Sequence, residues 1–145
     1  MYKHILIATD GSELAEKAVV HGLELAKAVK ARVTFVTVSE PMWSAVPGEM
    51  AIAFPHAEYE KSTAATAEKI LTLAGSIAKQ KGVGFEIKHA KEQLPADGII
   101  AAANESACDL IVMATHGRRG LAKLVLGSQA AEVINSSKIP VLVCH

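Results

Sequence analysis

Aromatic residues make up only 4% of the 145-residue chain. The core therefore cannot rest on large rings. It must be filled by Val, Ile, Leu and Ala, as in a parallel sheet covered on both faces. An excess of charge of one sign is also missing: Lys plus Arg and Asp plus Glu are 15 each, for a formal net charge of zero. A nucleic-acid binder tracks phosphates with a basic excess, so no nucleic-acid partner is expected. Near-zero charge leaves self-association open. No apolar run approaches the roughly 20 residues that cross a bilayer. Asp10 interrupts the opening before a signal-like apolar stretch is complete. The expectation is a cytoplasmic protein without membrane insertion. The two cysteines, Cys108 and Cys144, form no CxxC pair and no His/Cys cluster, and they read as buried reduced thiols. The six histidines show no metal-ligand spacing. Neither G-x-x-x-x-G-K-[ST] nor G-x-G-x-x-G after the first strand is present, which excludes the common NTPase and dinucleotide fingerprints.

Half the residues are hydrophobic, enough for one substantial core, and residues 1–145 read as one domain. Five β-rich runs recur: 4–9 (HILIAT), 32–38 (RVTFVTV), 83–89 (VGFEIKH), 109–114 (DLIVMA) and 139–144 (IPVLVC). The first, fourth and fifth are almost continuously apolar, which predicts burial on both faces. In the third, Phe85 and Ile87 alternate with Glu86 and Lys88, the pattern of an edge strand.

Helical patterns fill the gaps. Ser12 is placed to cap a helix whose stripe is Leu14, Ala15, Ala18, Val19, Gly22, Leu23 and Ala26. A longer amphipathic stretch covers 58–81, with Ala67, Ile70, Leu71, Ala74 and Ile77 inward. Pro95 suits the first turn of a helix over 96–104, and Ser128 is placed to cap one over 129–135. Residues 40–56, with Pro41, Pro47 and Pro55, read as a long loop. Its Met42, Trp43, Met50 and Phe54 suit a cover over a ligand or a docking surface, beside the plain reading of a connector.

Strands alternating with helices predict a doubly wound α/β fold with a parallel sheet of order 3-2-1-4-5. Its topological switch lies between strands 1 and 4, where ligands of such sheets bind. Strand 4 is followed by Ala114, Thr115, His116, Gly117, Arg118, Arg119 and Gly120, then Gly127 and Ser128 at the start of a helix. Glycines admit an anion close to the backbone and allow positive φ, and a helix N-terminus adds free amides and its dipole. Ser128 offers a hydroxyl and an amide, and Arg118 and Arg119 add charge. This is a phosphate cradle, read beside the plain alternative of a glycine turn with a capped helix. After strand 1, Thr9 and Asp10 lie next to that loop. Asp10 suits a ribose hydroxyl or Mg²⁺, or else an ordinary turn. Val38 ends strand 2, where its backbone can meet a base edge, unless it is simply a core valine. His116 suits a phosphate contact or a local hydrogen bond. A phospho-accepting receiver domain shares the fold class but needs an Asp after strand 3. That strand ends His89-Ala90-Lys91, and no Asp follows until Asp97.

From KHILIATDGS to IPVLVC the chain resembles the universal stress proteins of the ATP-binding type. Their nucleotide motif is Gly, two residues, Gly, nine residues, then Gly followed by Ser or Thr. Here Gly117 and Gly127 stand nine residues apart, Ser128 follows, and Ala114 replaces the first glycine. The resemblance implies a Rossmann-like adenine-nucleotide fold. By position, Ala8, Thr9 and Asp10 would line the base and ribose, and Val38 would hold the adenine through its main chain. Residues 114–120 would wrap ribose and phosphates, and Gly127, Ser128, Gln129 and Ala130 would cradle the phosphates of ATP with Mg²⁺. The methyl of Ala114 is tolerated where φ is negative. The implied role is a nucleotide-dependent stress-response switch, not an enzyme, with little turnover. The last strand, 139–144, would pair with its copy in a homodimer. The alternative is a dimeric interaction module that does not retain nucleotide.

Overall fold

The computed structural model describes residues 1–117 and 126–145. Five parallel strands form one sheet: β1 (His4–Ala8), β2 (Arg32–Val38), β3 (Phe85–Ala90), β4 (Leu110–Ala114) and β5 (Val141–Cys144). Their order is β3-β2-β1-β4-β5. Helices α1 (Glu13–Val29) and α4 (His56–Lys81) cover one face, and α5 (Pro95–Glu105) and α6 (Ser128–Ser136) the other.

The two-residue period of a strand sorts the core. Ile5 and Ile7 of β1 join Val33, Phe35, Leu110 and Val112 beneath α1 and α4. Leu6 and Ala8 join Val36, Ile111 and Met113 against Ala96, Ile99, Ala102, Ala103, Ala130 and Val133. Every residue of β1 and β4 is buried, as continuous apolar runs require. The fifth run departs from that expectation: β5 is half-buried along its whole length, because it is an edge strand, and it begins only after Pro140. At the other edge, Ile87 of β3 is well exposed.

Ser12 caps α1, its hydroxyl accepting from the Ala15 amide at 3.2 Å. Ser128 does not cap α6. The N-cap is Gly127, in extended backbone, and Ser128 is the first helical residue. The Gly127 amide is bound to the Thr115 carbonyl at 2.7 Å, which fixes where the chain turns into the helix. The segment 40–56 is not a plain loop either. It holds two short helices, α2 (Met42–Ala45) and α3 (Gly48–Ala53), and Pro41, Pro47 and Pro55 stand immediately before α2, α3 and α4. Proline has a fixed φ and no N–H, so it starts helices as readily as it breaks them. The same effect moves the start of α4 to His56.

Candidate functional site

A cleft of about 500 Å³ opens at the carboxyl ends of β1, β2 and β4. The register explains the meeting point. Ala8 pairs with Val36, and Ile7 with Val112, so the chain leaves three neighbouring strands at one level. The cleft has two unlike ends. Val36, Val38, Ile70 and Ile99 give the β2 end an apolar lining, with Ala45, Glu40 and Tyr59 at its rim. His116, Gly117, Gly127, Ser128, Gln129 and Ala130 line the β4 end, and no carboxylate is among them. Ala8, Thr9 and Asp10 lie between.

The loop after β1 is a compact turn. Gly11 takes φ 77°, which glycine alone adopts freely, and lets the Ser12 amide reach Asp10 Oδ1 at 2.9 Å. The Gly11 amide donates to Thr9 Oγ1 at 3.2 Å. Asp10 thus has the turn role weighed for it, and it also lines the cleft.

Gly117 and Gly127 answer to space rather than to positive φ, because only Gly11 and Gly82 among the described glycines have it. A β-carbon on Gly127 would lie 2.8 Å from the Thr115 carbonyl oxygen and 3.0 Å from His116 Cβ. One on Gly117 would collide with Asp10 Oδ2. Ala114 is an ordinary strand residue without positive φ, so its extra methyl needs no strain.

The first helical bond of α6 runs from the Ala131 amide to the Gly127 carbonyl at 2.9 Å. The amides of Ser128, Gln129 and Ala130 precede it, in the turn where helix amides lack intrahelical acceptors. Together with the helix dipole they suit an anion. The Gln129 side chain is turned elsewhere: its Oε1 accepts from the Ala96 amide at 3.1 Å and caps α5, which has no cap of its own.

Thr115 does not line the cleft. It holds the loop from behind, its amide donating to the Cys144 carbonyl at 2.8 Å and its carbonyl accepting from Gly127. His116 lines the cleft with Nδ1 3.3 Å from Thr115 Oγ1, the local bond weighed for it. Arg118, Arg119 and Gly120 lie outside the described residues.

The sequence reading missed the β2 rim. Tyr59 of α4 donates its hydroxyl to the Glu40 carbonyl at 2.5 Å. Burial, with the carboxylates of Glu40 and Glu92 nearby, pushes the Tyr59 phenol above its ordinary pKa, so it stays a donor. Behind this rim Ser39 Oγ lies 2.6 Å from His89 Nε2, and burial, then Lys91, lowers the His89 pKa. Among the described residues no group of three or more His, Cys, Asp or Glu is placed to hold a metal. A divalent ion here would be held chiefly by ligand phosphates and water, with Asp10 the carboxylate midway along the cleft.

The sequence profile of the universal stress protein family matches residues 1–145. A universal stress protein of Thermus aquaticus is 35% identical over 142 residues, covering 98% of each chain. Another, MJ0531 of Methanocaldococcus jannaschii, is 31% identical over 144 residues, covering 99% of this chain and 82% of that protein. The crystal structure of a universal stress protein in complex with cAMP superposes with a TM-score of 0.73 at 28% identity, covering 99% of this chain and 97% of that one.

Proposed function

The chain belongs to the universal stress protein family, and from that premise we propose that it is an ATP-binding switch of a stress response. The base lies at the apolar β2 end of the cleft against the Val38 main chain. Ala8, Thr9 and Asp10 meet base and ribose. Ala114, His116 and Gly117 lead, with Arg118, Arg119 and Gly120, to the phosphates at Gly127, Ser128, Gln129 and Ala130, with Thr115 as the loop's anchor. Mg²⁺ comes with the triphosphate.

The observation that carries this reading is Gly127, packed against the Thr115 carbonyl so that the first turn of α6 lies at the β4 end of the cleft. The solved relative in complex with cAMP supports an adenine nucleotide. Efficient phosphoryl transfer also needs a group that orients the nucleophile in line. The proposed roles are those of a phosphate cradle and a base slot, and occupancy rather than turnover is the proposed signal.

The test is mass spectrometry of small molecules released on denaturation, with calorimetric titration of ATP and Mg²⁺. Released adenine nucleotide, or micromolar binding lost in a Gly127→Val, Ser128→Ala variant, is the expected result. The absence of both released nucleotide and binding heat would sink the reading.

One observation favours a second reading. The half-buried edge strand β5 offers Val141–Cys144 for pairing with a second copy. We propose a cytoplasmic single-domain homodimer joined through 139–144. If no nucleotide is retained, the protein is a dimeric interaction module on the same fold. Light scattering after size exclusion reads the dimer directly.

A further inference from the structure

The first part of α4, 56–66, has no core beneath it. The helix runs His56–Lys81, yet its buried residues begin at Ala67. In the overhanging part only Tyr59 and Thr63 are even half-buried. Two contacts tie this overhang to the strand ends: the Tyr59 hydroxyl to the Glu40 carbonyl, and His56 Nε2 to Glu92 Oε1 at 2.8 Å. The first lies on the cleft and the second does not.

The chain leaving β2 explains why the Tyr59 contact matters. Ser39 is held toward β3: its amide donates to the Ala90 carbonyl at 2.8 Å, and its carbonyl accepts from the Gln93 amide at 3.3 Å. Backbone groups alternate sides along a strand, so the Val38 amide and carbonyl face the other way, the side on which the Val36 carbonyl accepts from Thr9 at 2.9 Å. That side is the cleft. The next link is Glu40, and after it Pro41 has no N–H to give. The bond from Tyr59 to the Glu40 carbonyl is a restraint on the path of the chain between Val38 and α2.

Resting on the nucleotide reading above, we infer that Tyr59 is a positioning residue for the ligand. By holding the Glu40 carbonyl it fixes the Val38 main chain at the base slot and keeps Glu40 and Ala45 at the rim of the cleft. Tyr59 acts through Glu40 and Val38 and needs no bond to the ligand itself.

The test compares Tyr59→Phe with His56→Ala, which cuts the other tie of the same overhang. Amide exchange is read on the ligand-free proteins and ATP affinity by calorimetry. Tyr59→Phe is expected to speed exchange over residues 39–46 and to weaken ATP about fivefold, the scale of one lost hydrogen bond, with an unchanged melting temperature. His56→Ala is expected to leave ATP affinity as it is. Unchanged exchange in Tyr59→Phe overturns the restraint. Faster exchange with unchanged affinity overturns the ligand role. Equal weakening by both variants reduces Tyr59 to general anchorage of α4 and overturns the proposal. A wild-type protein that takes up no ATP overturns the nucleotide reading and the ligand role with it, while the exchange difference still stands or falls by itself.

Discussion

The carboxylate of Asp10 occupies the space that a β-carbon on residue 117 would take. Asp10 is not free to swing away, because its Oδ1 accepts from the Ser12 amide at 2.9 Å at the mouth of α1. Gly117→Ala therefore displaces the carboxylate, the loop after β4, or both. Gly117 is exposed and its φ is not positive, so the cost to folding is expected to stay within about 1 kcal/mol. The cost to the ligand is expected to be larger, about tenfold in ATP affinity, since two neighbouring walls of the cleft move apart. Calorimetry and a melting curve on the same variant separate the two. An unchanged affinity would show that the two loops need not touch for binding.

Gly127 and Ser128 are adjacent, and the structure gives them opposite burdens. A methyl at 127 meets a backbone oxygen at 2.8 Å, which cannot rotate away as a side chain can. Gly127→Ala is expected to cost about 1–3 kcal/mol of stability, the range of overpacking in a fixed site. Ser128 makes no capping bond, so Ser128→Ala is expected to change stability by less than about 0.5 kcal/mol. Urea denaturation of both variants checks the contrast. A Ser128→Ala loss as large as that of Gly127→Ala would restore Ser128 as the cap.

Strand order, helix faces and the meeting of the β1 and β4 loops were legible because each depends on local pattern: continuous apolar runs, a 3.6-residue stripe, glycines at helix starts. The β2 rim was not. Tyr59 and Glu40 are 19 residues apart and joined by one bond to a carbonyl, which no periodicity marks. Three prolines in 17 residues read as loop punctuation, although each precedes a helix. Gln129 read as part of a phosphate cradle because of its place after Gly127 and Ser128. Its amide stays in that turn, but no local pattern marks that its side chain caps α5, a contact between helices far apart in sequence.

His4 gives a pH dependence with a definite sign. Its Nδ1 lies 3.4 Å from the Arg32 guanidinium, which can only donate, so Nδ1 accepts and Nε2–H donates to Thr34 Oγ1 at 2.8 Å. Burial, then the Arg32 charge, lowers its pKa below the ordinary 6.5. The unfolded chain therefore takes up this proton first as pH falls. Stability from His4 is fully present above about pH 6.5 and declines as pH drops below it. His89, lowered by burial and Lys91, adds in the same direction. Urea midpoints at about pH 8 and about pH 5 should fall further for wild type than for His4→Gln, which keeps an amide donor near Thr34. Equal falls would mean that His4 contributes nothing to the acid limb.

Two helix glycines that face the sheet separate packing from ligand effects. A β-carbon on Gly22 of α1 would lie 2.7 Å from Ile7 Cδ1, the far end of a side chain that can turn, with Ile7 Cγ1 at 3.1 Å and Val112 Cγ1 at 3.3 Å needing only small shifts. One on Gly98 of α5 would lie 2.8 Å from both γ-carbons of Val38, a branched side chain with no longer arm to yield. Alanine favours a helix over glycine by about 1 kcal/mol, so Gly22→Ala is expected to come out near neutral. Gly98→Ala is expected to lose about 1–3 kcal/mol despite the same helix gain. Because Val38 lines the β2 end of the cleft, where the base is proposed to lie, relief of that clash moves that wall, and ATP affinity is expected to fall in Gly98→Ala alone. Denaturation and calorimetry on both variants give four numbers. If Gly22→Ala weakened ATP as much as Gly98→Ala, the loss would follow general loosening of the sheet, and the place of Val38 at the base would lose its support.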